Sequence, residues 1–162
     1  IAIARALALE PKLVVLDEPT SSIDILSQAQ ILDLLIQLKH KLGLTYIIIS
    51  HDLSVVHYMS DRIIVMYLGK VVEQGPADVV FSDPVHPYTQ ALFNAIPSLE
   101  MSSLDDLQTP AGNVPSAIDP PSGCRFHTRC PFVMDICSQV EPKMLPVGER
   151  HAAACHLNNQ SV

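Results

Sequence analysis

Asp17 and Glu18 stand together at the end of the apolar run Leu13-Val14-Val15-Leu16, and His51 follows a second apolar run, Thr45 to Ser50. In open parallel sheets, ligands bind beyond the carboxyl ends of the strands. All three side chains are therefore delivered to one edge. Phosphoryl transfer to water requires a carboxylate beside magnesium and a group that orients the attacking water. Asp17 suits the first role and Glu18 the second. His51 can donate a hydrogen bond to a terminal phosphate and steady it as charge develops. Each signal is modest alone, since apolar runs ending in Asp-Glu are common and a histidine after a strand is more often structural or solvated.

Cys124, Cys130, Cys137 and Cys155 form a second group, with 5, 6 and 17 residues between successive members. In a reducing compartment disulfides are improbable, and clustered cysteines bind metal or act in catalysis. The spacing is not that of a short-knuckle zinc site. Four thiolates without tight pairs can hold an iron–sulfur cluster of the 4Fe-4S type. Zinc, with His127, His151 and His156 as further ligands, and free buried thiols are the alternatives. The simplest purpose of such a site is to staple a loop-rich tail.

The elements that must position these residues change character near residue 75. Leu13 to Asp17 and Thr45 to Ser50 read as strands buried on both faces. Between them Ile31, Leu35, Leu38 and Leu42 fall on one helical face, and Gly43 supplies a C-terminal cap. Strand, helix, strand predicts a right-handed parallel crossover and an α/β fold. Ile1 to Leu7 reads as an amphipathic helix, with Arg5 a solvated charge. Arg62 to Tyr67 and Lys70 to Gln74 predict an antiparallel hairpin at the sheet margin. Beyond it lie eleven of the 13 prolines and all four cysteines. Short helices are expected at Ala77 to Phe81 and Tyr88 to Ala95, behind Pro76 and Pro87. Pro97 to Gly123 is expected to be irregular, and His86-Pro87-Tyr88 to be a shape-setting turn.

The chain has 162 residues, 48% of them hydrophobic, so a sizeable core can form. Ten Lys and Arg against 17 Asp and Glu give a formal charge of -7, which argues against a sequence-independent nucleic-acid partner. Backbone amides can hold a nucleotide without altering that count. No apolar run reaches the roughly 20 residues that span a bilayer, and no signal peptide is visible. The expectation is a soluble, cytoplasmic chain docked on a membrane partner.

Leu13-Val14-Val15-Leu16-Asp17-Glu18-Pro19-Thr20 resembles the Walker B motif of ABC-type ATPases. Ser21-Ser22-Ile23-Asp24 resembles their D-loop, with Ser22-Ile23 a mild departure from the commoner Ser-Ala-Leu-Asp, and Ser50-His51-Asp52 their switch histidine. Ile1 to Leu7 resembles the helix after the signature loop. Further on, Pro84-Val85-His86-Pro87-Tyr88-Thr89-Gln90-Ala91-Leu92 and Pro121 to Pro131 resemble the C-terminal region of oligopeptide and dipeptide importer ATPases, some of which carry an iron–sulfur cluster.

That resemblance implies the C-terminal half of an ABC-type P-loop ATPase domain over 1–80 and an oligopeptide-transporter-type extension over 81–162. It implies ATP and magnesium as ligands. Asp17 sits on the magnesium side and Glu18 polarises the water. Ser22 and Asp24 lie on the nucleotide side, with Asp24 acting across a head-to-tail dimer. The implied partners are transmembrane permease subunits, a second ABC ATPase subunit and, indirectly, an extracytoplasmic solute-binding protein, at the cytoplasmic face of the membrane. A non-transport ABC ATPase acting on nucleic acid and a non-catalytic metal-binding module are the rival readings. None of the six glycines has the spacing of G-x-x-x-x-G-K-[ST], and the glutamine loop and signature are absent. The chain is expected to be a fragment that alone neither binds ATP tightly nor hydrolyses it.

Overall fold

The computed structural model describes residues 2–21, 23–95 and 112–160. Ser22 and most of the stretch from Pro97 to Gly123 lie outside them, and residues 112–123 contain neither helix nor strand. The chain divides into two compact units, Ile1–Ser60 and Asp61–Val162. The proposed family boundary at residue 80 falls inside the second.

The first unit contains α1 (Ala2–Leu7), β1 (Leu13–Asp17), α2 (Ile25–Leu42), β2 (Thr45–Ile49) and α3 (Leu53–Met59). β1 and β2 pair in parallel, Leu13 opposite Thr45 through Asp17 opposite Ile49. Asp24 caps α2 by accepting the Ser27 N–H at 3.0 Å. Gly43 ends the helix at φ 62°, in the left-handed region that glycine enters without a Cβ penalty, and its N–H reaches the Lys39 carbonyl. The core is Leu32, Leu35, Val55 and Met59, with Ile3, Leu16, Ile31, Tyr46 and Ile48 packed against it. The helical face is thus rotated from the expected one: Leu32 is buried and Leu42 is exposed.

The strands are not buried on both faces. Leu16, Tyr46 and Ile48 meet the core, while Val15 and Ile47 on the opposite face are 58% and 49% exposed. α2 and α3 cover one face of two short strands, and among the described residues nothing covers the other.

The second unit is built on β3 (Arg62–Tyr67), β4 (Lys70–Pro76), α4 (Ala77–Ser82), α5 (Pro87–Asn94), α6 (Asp135–Gln139), β5 (Leu145–Gly148) and β6 (His151–Ala153). Its four strands run in the order β3-β4-β6-β5, with every neighbouring pair antiparallel. The hairpin expected at the margin of the parallel sheet therefore belongs to a second sheet, because β4 pairs with β6 from the tail. α4 and α5 fall within a residue of their expected bounds. No helix among the described residues is long and apolar enough to cross a membrane. The chain is α/β, with one parallel and one antiparallel sheet.

Candidate functional site

The parallel register sets Asp17 opposite Ile49, so the residues that follow each strand emerge side by side. Glu18 is the first residue past β1, and its N–H donates to the Ile49 carbonyl at 2.9 Å. His51 answers from β2. Its Nδ1 lies 2.8 Å from Glu18 Oε1, and its backbone N–H donates to the same oxygen at 3.2 Å. The hydrogen bond to Glu18, and then that residue's charge, raise the His51 pKa above its ordinary value. The pair stays accessible, with side chains 79% and 35% exposed for His51 and Glu18.

Glu18 has φ 46°, a left-handed conformation that is uncommon for any residue with a Cβ. Its carbonyl accepts from Ser21 twice, from the backbone N–H at 3.3 Å and from Oγ at 3.2 Å. With the bond to Ile49, these contacts hold the strained backbone. Such outliers persist where surrounding structure over-determines them, and they cluster at functional sites.

Of the residues singled out beforehand, Asp17, Glu18 and His51 gather at this edge, and Asp17 is exposed there. Asp17 and Glu18 are hard oxygen donors of the kind magnesium takes. Asp24 is engaged as the cap of α2, and the Ser27 hydrogen bonds lower its pKa. Arg5 is exposed on α1. Asp52 caps α3 through the Ser54 N–H at 2.9 Å and also accepts from Gln28 Nε2 at 3.2 Å, tying the segment after β2 to α2.

The second unit gathers the cysteines. Cys124, Cys130, Cys137 and Cys155 all line one small cavity, with His127 and His156 on its wall. Burial raises the thiol pKa values of Cys124 and Cys130 and pushes that of Cys155 up to about 11. Cys155 is also raised by the charges of the other three. Thiolates in this cavity therefore need a positive partner. Gly123 makes the convergence sterically feasible: its φ is 65°, and a Cβ there would lie 2.4 Å from the Cys137 carbonyl oxygen. The same carbonyl accepts the Cys124 N–H at 2.7 Å. Among the described residues, no three His, Cys, Asp or Glu side chains stand together as a site for a single metal ion.

Beside the cavity is a polar centre that the sequence reading missed. Glu73, in β4, is fully buried. Its carboxylate accepts the N–H groups of Val85 at 2.8 Å and His86 at 2.9 Å, and it meets His151 Nε2 at 2.8 Å. A carboxylate in mid-strand, directly after Val71 and Val72, is the signal that could have marked it. His86 caps α5, its Nδ1 accepting the Tyr88 N–H at 3.0 Å, in keeping with a shape-setting turn. Burial lowers the His86 pKa to about 4, against a weaker upward pull from Glu73.

Residues 72–137 match the family described as oligopeptide/dipeptide transporter, C-terminal region. The oligopeptide transport ATP-binding protein OppF of Salmonella typhimurium is 50% identical over 157 residues, which are 96% of this chain and 47% of that protein. OppF of Escherichia coli is 48% identical over the same shares. A Brucella ovis protein whose name assigns it to peptide import is 46% identical over 98% of this chain and 50% of its own length. The chain thus spans about half the length of these relatives. Residues 72–137 are thus similar to the oligopeptide/dipeptide transporter C-terminal region, and almost the whole chain is similar to about half of proteins named for peptide import.

Proposed function

We propose that this chain supplies the water-side half of an ATPase site in the subunit that powers an ABC importer of oligopeptides or dipeptides. The supporting observation is the pairing of Glu18 with His51 at the carboxyl ends of adjacent parallel strands, next to Asp17. In this reading Asp17 would hold magnesium, which would supply charge neutralisation to the phosphates. Glu18 Oε1 is held by His51, leaving Oε2 to take a hydrogen bond from water and aim its oxygen at the terminal phosphorus. His51, turned from Glu18 toward the phosphate, donates to the oxygen on which charge develops. Asp24 and Ser22 belong to the loop that meets a second ATPase subunit. The partners are that subunit and the transmembrane permeases, with a solute-binding protein engaged indirectly at the far face. The ATPase part runs over 1–80 and the transporter-type extension over 81–162.

The relatives are named for peptide transport, which does not favour the nucleic-acid reading. None of the six glycines has the spacing of a phosphate-anchoring loop. The open face carrying Val15 and Ile47 is where a further apolar layer of the ATPase domain packs. The test is turnover. The purified chain should show no ATP hydrolysis, while the subunit that also carries a phosphate loop should hydrolyse ATP when assembled with its permeases. Peptide-independent inactivity of that assembled subunit would refute the reading.

For the tail, the proposal is a 4Fe-4S cluster held by Cys124, Cys130, Cys137 and Cys155, with zinc at His127, His151 and His156 as the alternative. The convergence of four thiols on one cavity supports the cluster. His151 is already engaged with Glu73, which weighs against zinc there. Anaerobic purification with iron, sulfide and zinc analysis decides between them.

A further inference from the structure

The residue after His51 is tied to a different element. Asp52 uses Oδ1 to cap α3, accepting the N–H groups of Ser54 at 2.9 Å and Val55 at 3.4 Å. Its other oxygen, Oδ2, is not needed for that cap and takes the Gln28 side-chain amide at 3.2 Å. The Asp52 N–H in turn donates to Ser50 Oγ at 3.1 Å. The bonds to Ser50, Ser54 and Val55 join neighbours in one segment and would move with it. The bond from Gln28 crosses 24 residues of sequence and fixes the segment to α2. Gln28 has a firm base there, because its backbone N–H donates to the Asp24 carbonyl at 2.8 Å. It also shares a helical face with the core residues Leu32 and Leu35, which follow four and seven positions on. A half-buried amide at the head of an apolar stripe is costly unless bonded, and the partner it finds is the neighbour of His51.

We propose that Gln28 is a positioning residue for His51, acting through the Asp52 carboxylate. This rests on the ATPase reading above, in which the His51 ring turns from Glu18 toward the phosphate. Before that turn, His51 is tethered to Glu18 Oε1 by both its ring and its N–H. Once the ring lets go, the segment is held by β2 on one side and by Asp52 on the other. With the Gln28 bond in place, only the His51 side chain swings. Without it the backbone can shift too, and a misplacement of ~1 Å can cost about 10²-fold in rate.

Two variants test this. Gln28→Leu removes the donor with a side chain of similar size that favours a helix, so α2 is preserved, and Gln28→Lys returns a donor to Asp52. Nitrogen-15 relaxation of the 162-residue chain reads the order of the His51 backbone N–H. The order parameter should be about 0.85 in the unsubstituted chain and in Gln28→Lys, and fall toward about 0.6 in Gln28→Leu, with the β2 amides unchanged. In the complete transport subunit assembled with its permeases, Gln28→Leu should lower kcat about tenfold while KM for ATP stays within about twofold. Gln28→Lys should recover most of that loss. Unchanged order at His51 in Gln28→Leu, equal loosening of β2, or an unchanged kcat in an active subunit would each overturn the role of Gln28. An unsubstituted complete subunit without ATP turnover would instead overturn the ATPase reading and the purpose of Gln28 with it. The two failures are told apart because the relaxation measurement needs no turnover.

Discussion

Glu18 and Glu73 each meet a histidine ring nitrogen at 2.8 Å, in different compact units. The bond lengths are equal and the surroundings opposite. The Glu18–His51 pair has side chains 35% and 79% exposed, at strand ends where one carboxylate oxygen is left for another partner. The Glu73–His151 pair is 0% and 4% exposed, and its carboxylate also takes two backbone N–H groups. Water screens the first pair, so it contributes little to stability and can be rearranged cheaply. The second is enclosed in a low dielectric, where an unpaired member would be left as a buried charge. The exposed pair can change partners at little cost, and the buried one fixes how β4, β6 and the segment before α5 meet.

The sharpest way to break this contrast is at Glu73. Glu73→Ala strands His151 and two buried N–H groups, and should destabilise the protein by about 3–5 kcal/mol. Chemical denaturation reads this directly, and a loss below ~1 kcal/mol would make the buried pair as dispensable as the exposed one. Next is Gly123→Ala. The added Cβ meets the Cys137 carbonyl at 2.4 Å in a left-handed backbone, an overpacking worth about 1–3 kcal/mol. Cys124 and Cys137 should then react faster with a thiol reagent; unchanged rates would separate the glycine from the cavity. In the first unit, Asp24→Ala removes a cap and should produce a small fall in the denaturation midpoint.

The smallest effect is the titration of His51. Its pKa is raised by Glu18, so the pairing is in place below the ordinary histidine value and fades as pH rises through the raised one. Proton NMR should show His51 titrating above the usual value of about 6.5, and Glu18→Gln should bring it down. A His51 pKa indifferent to Glu18 would deny the pair.

What was legible in the sequence follows the same division. The apolar runs ending in Asp17 and before His51 are long enough to be read as strands, and Gly43 and Pro87 mark helix ends by backbone chemistry alone. The carboxylate edge was therefore readable from local signals. Burial on both faces was misjudged because a run such as Leu13 to Leu16 specifies an apolar strand, not what covers it. α3 was overlooked although Asp52 before Leu53 is a capping signal. In the tail, β6 is three residues long and β5 contains Pro146 and Gly148, so neither shows a period of two. The pairing of β6 with β4 is a long-range event, and so are the Glu73–His151 contact and the meeting of four cysteines spread over 32 residues of sequence, from 124 to 155. Spacing alone left those cysteines undecided between metal and free thiol.

The central claim is that Glu18 orients the hydrolytic water, and it is tested most directly by Glu18→Gln in the complete transport subunit. Steady-state ATP turnover should fall about 10²-fold or more, while equilibrium nucleotide binding stays near its original affinity. Turnover that survives the substitution unchanged would contradict the account.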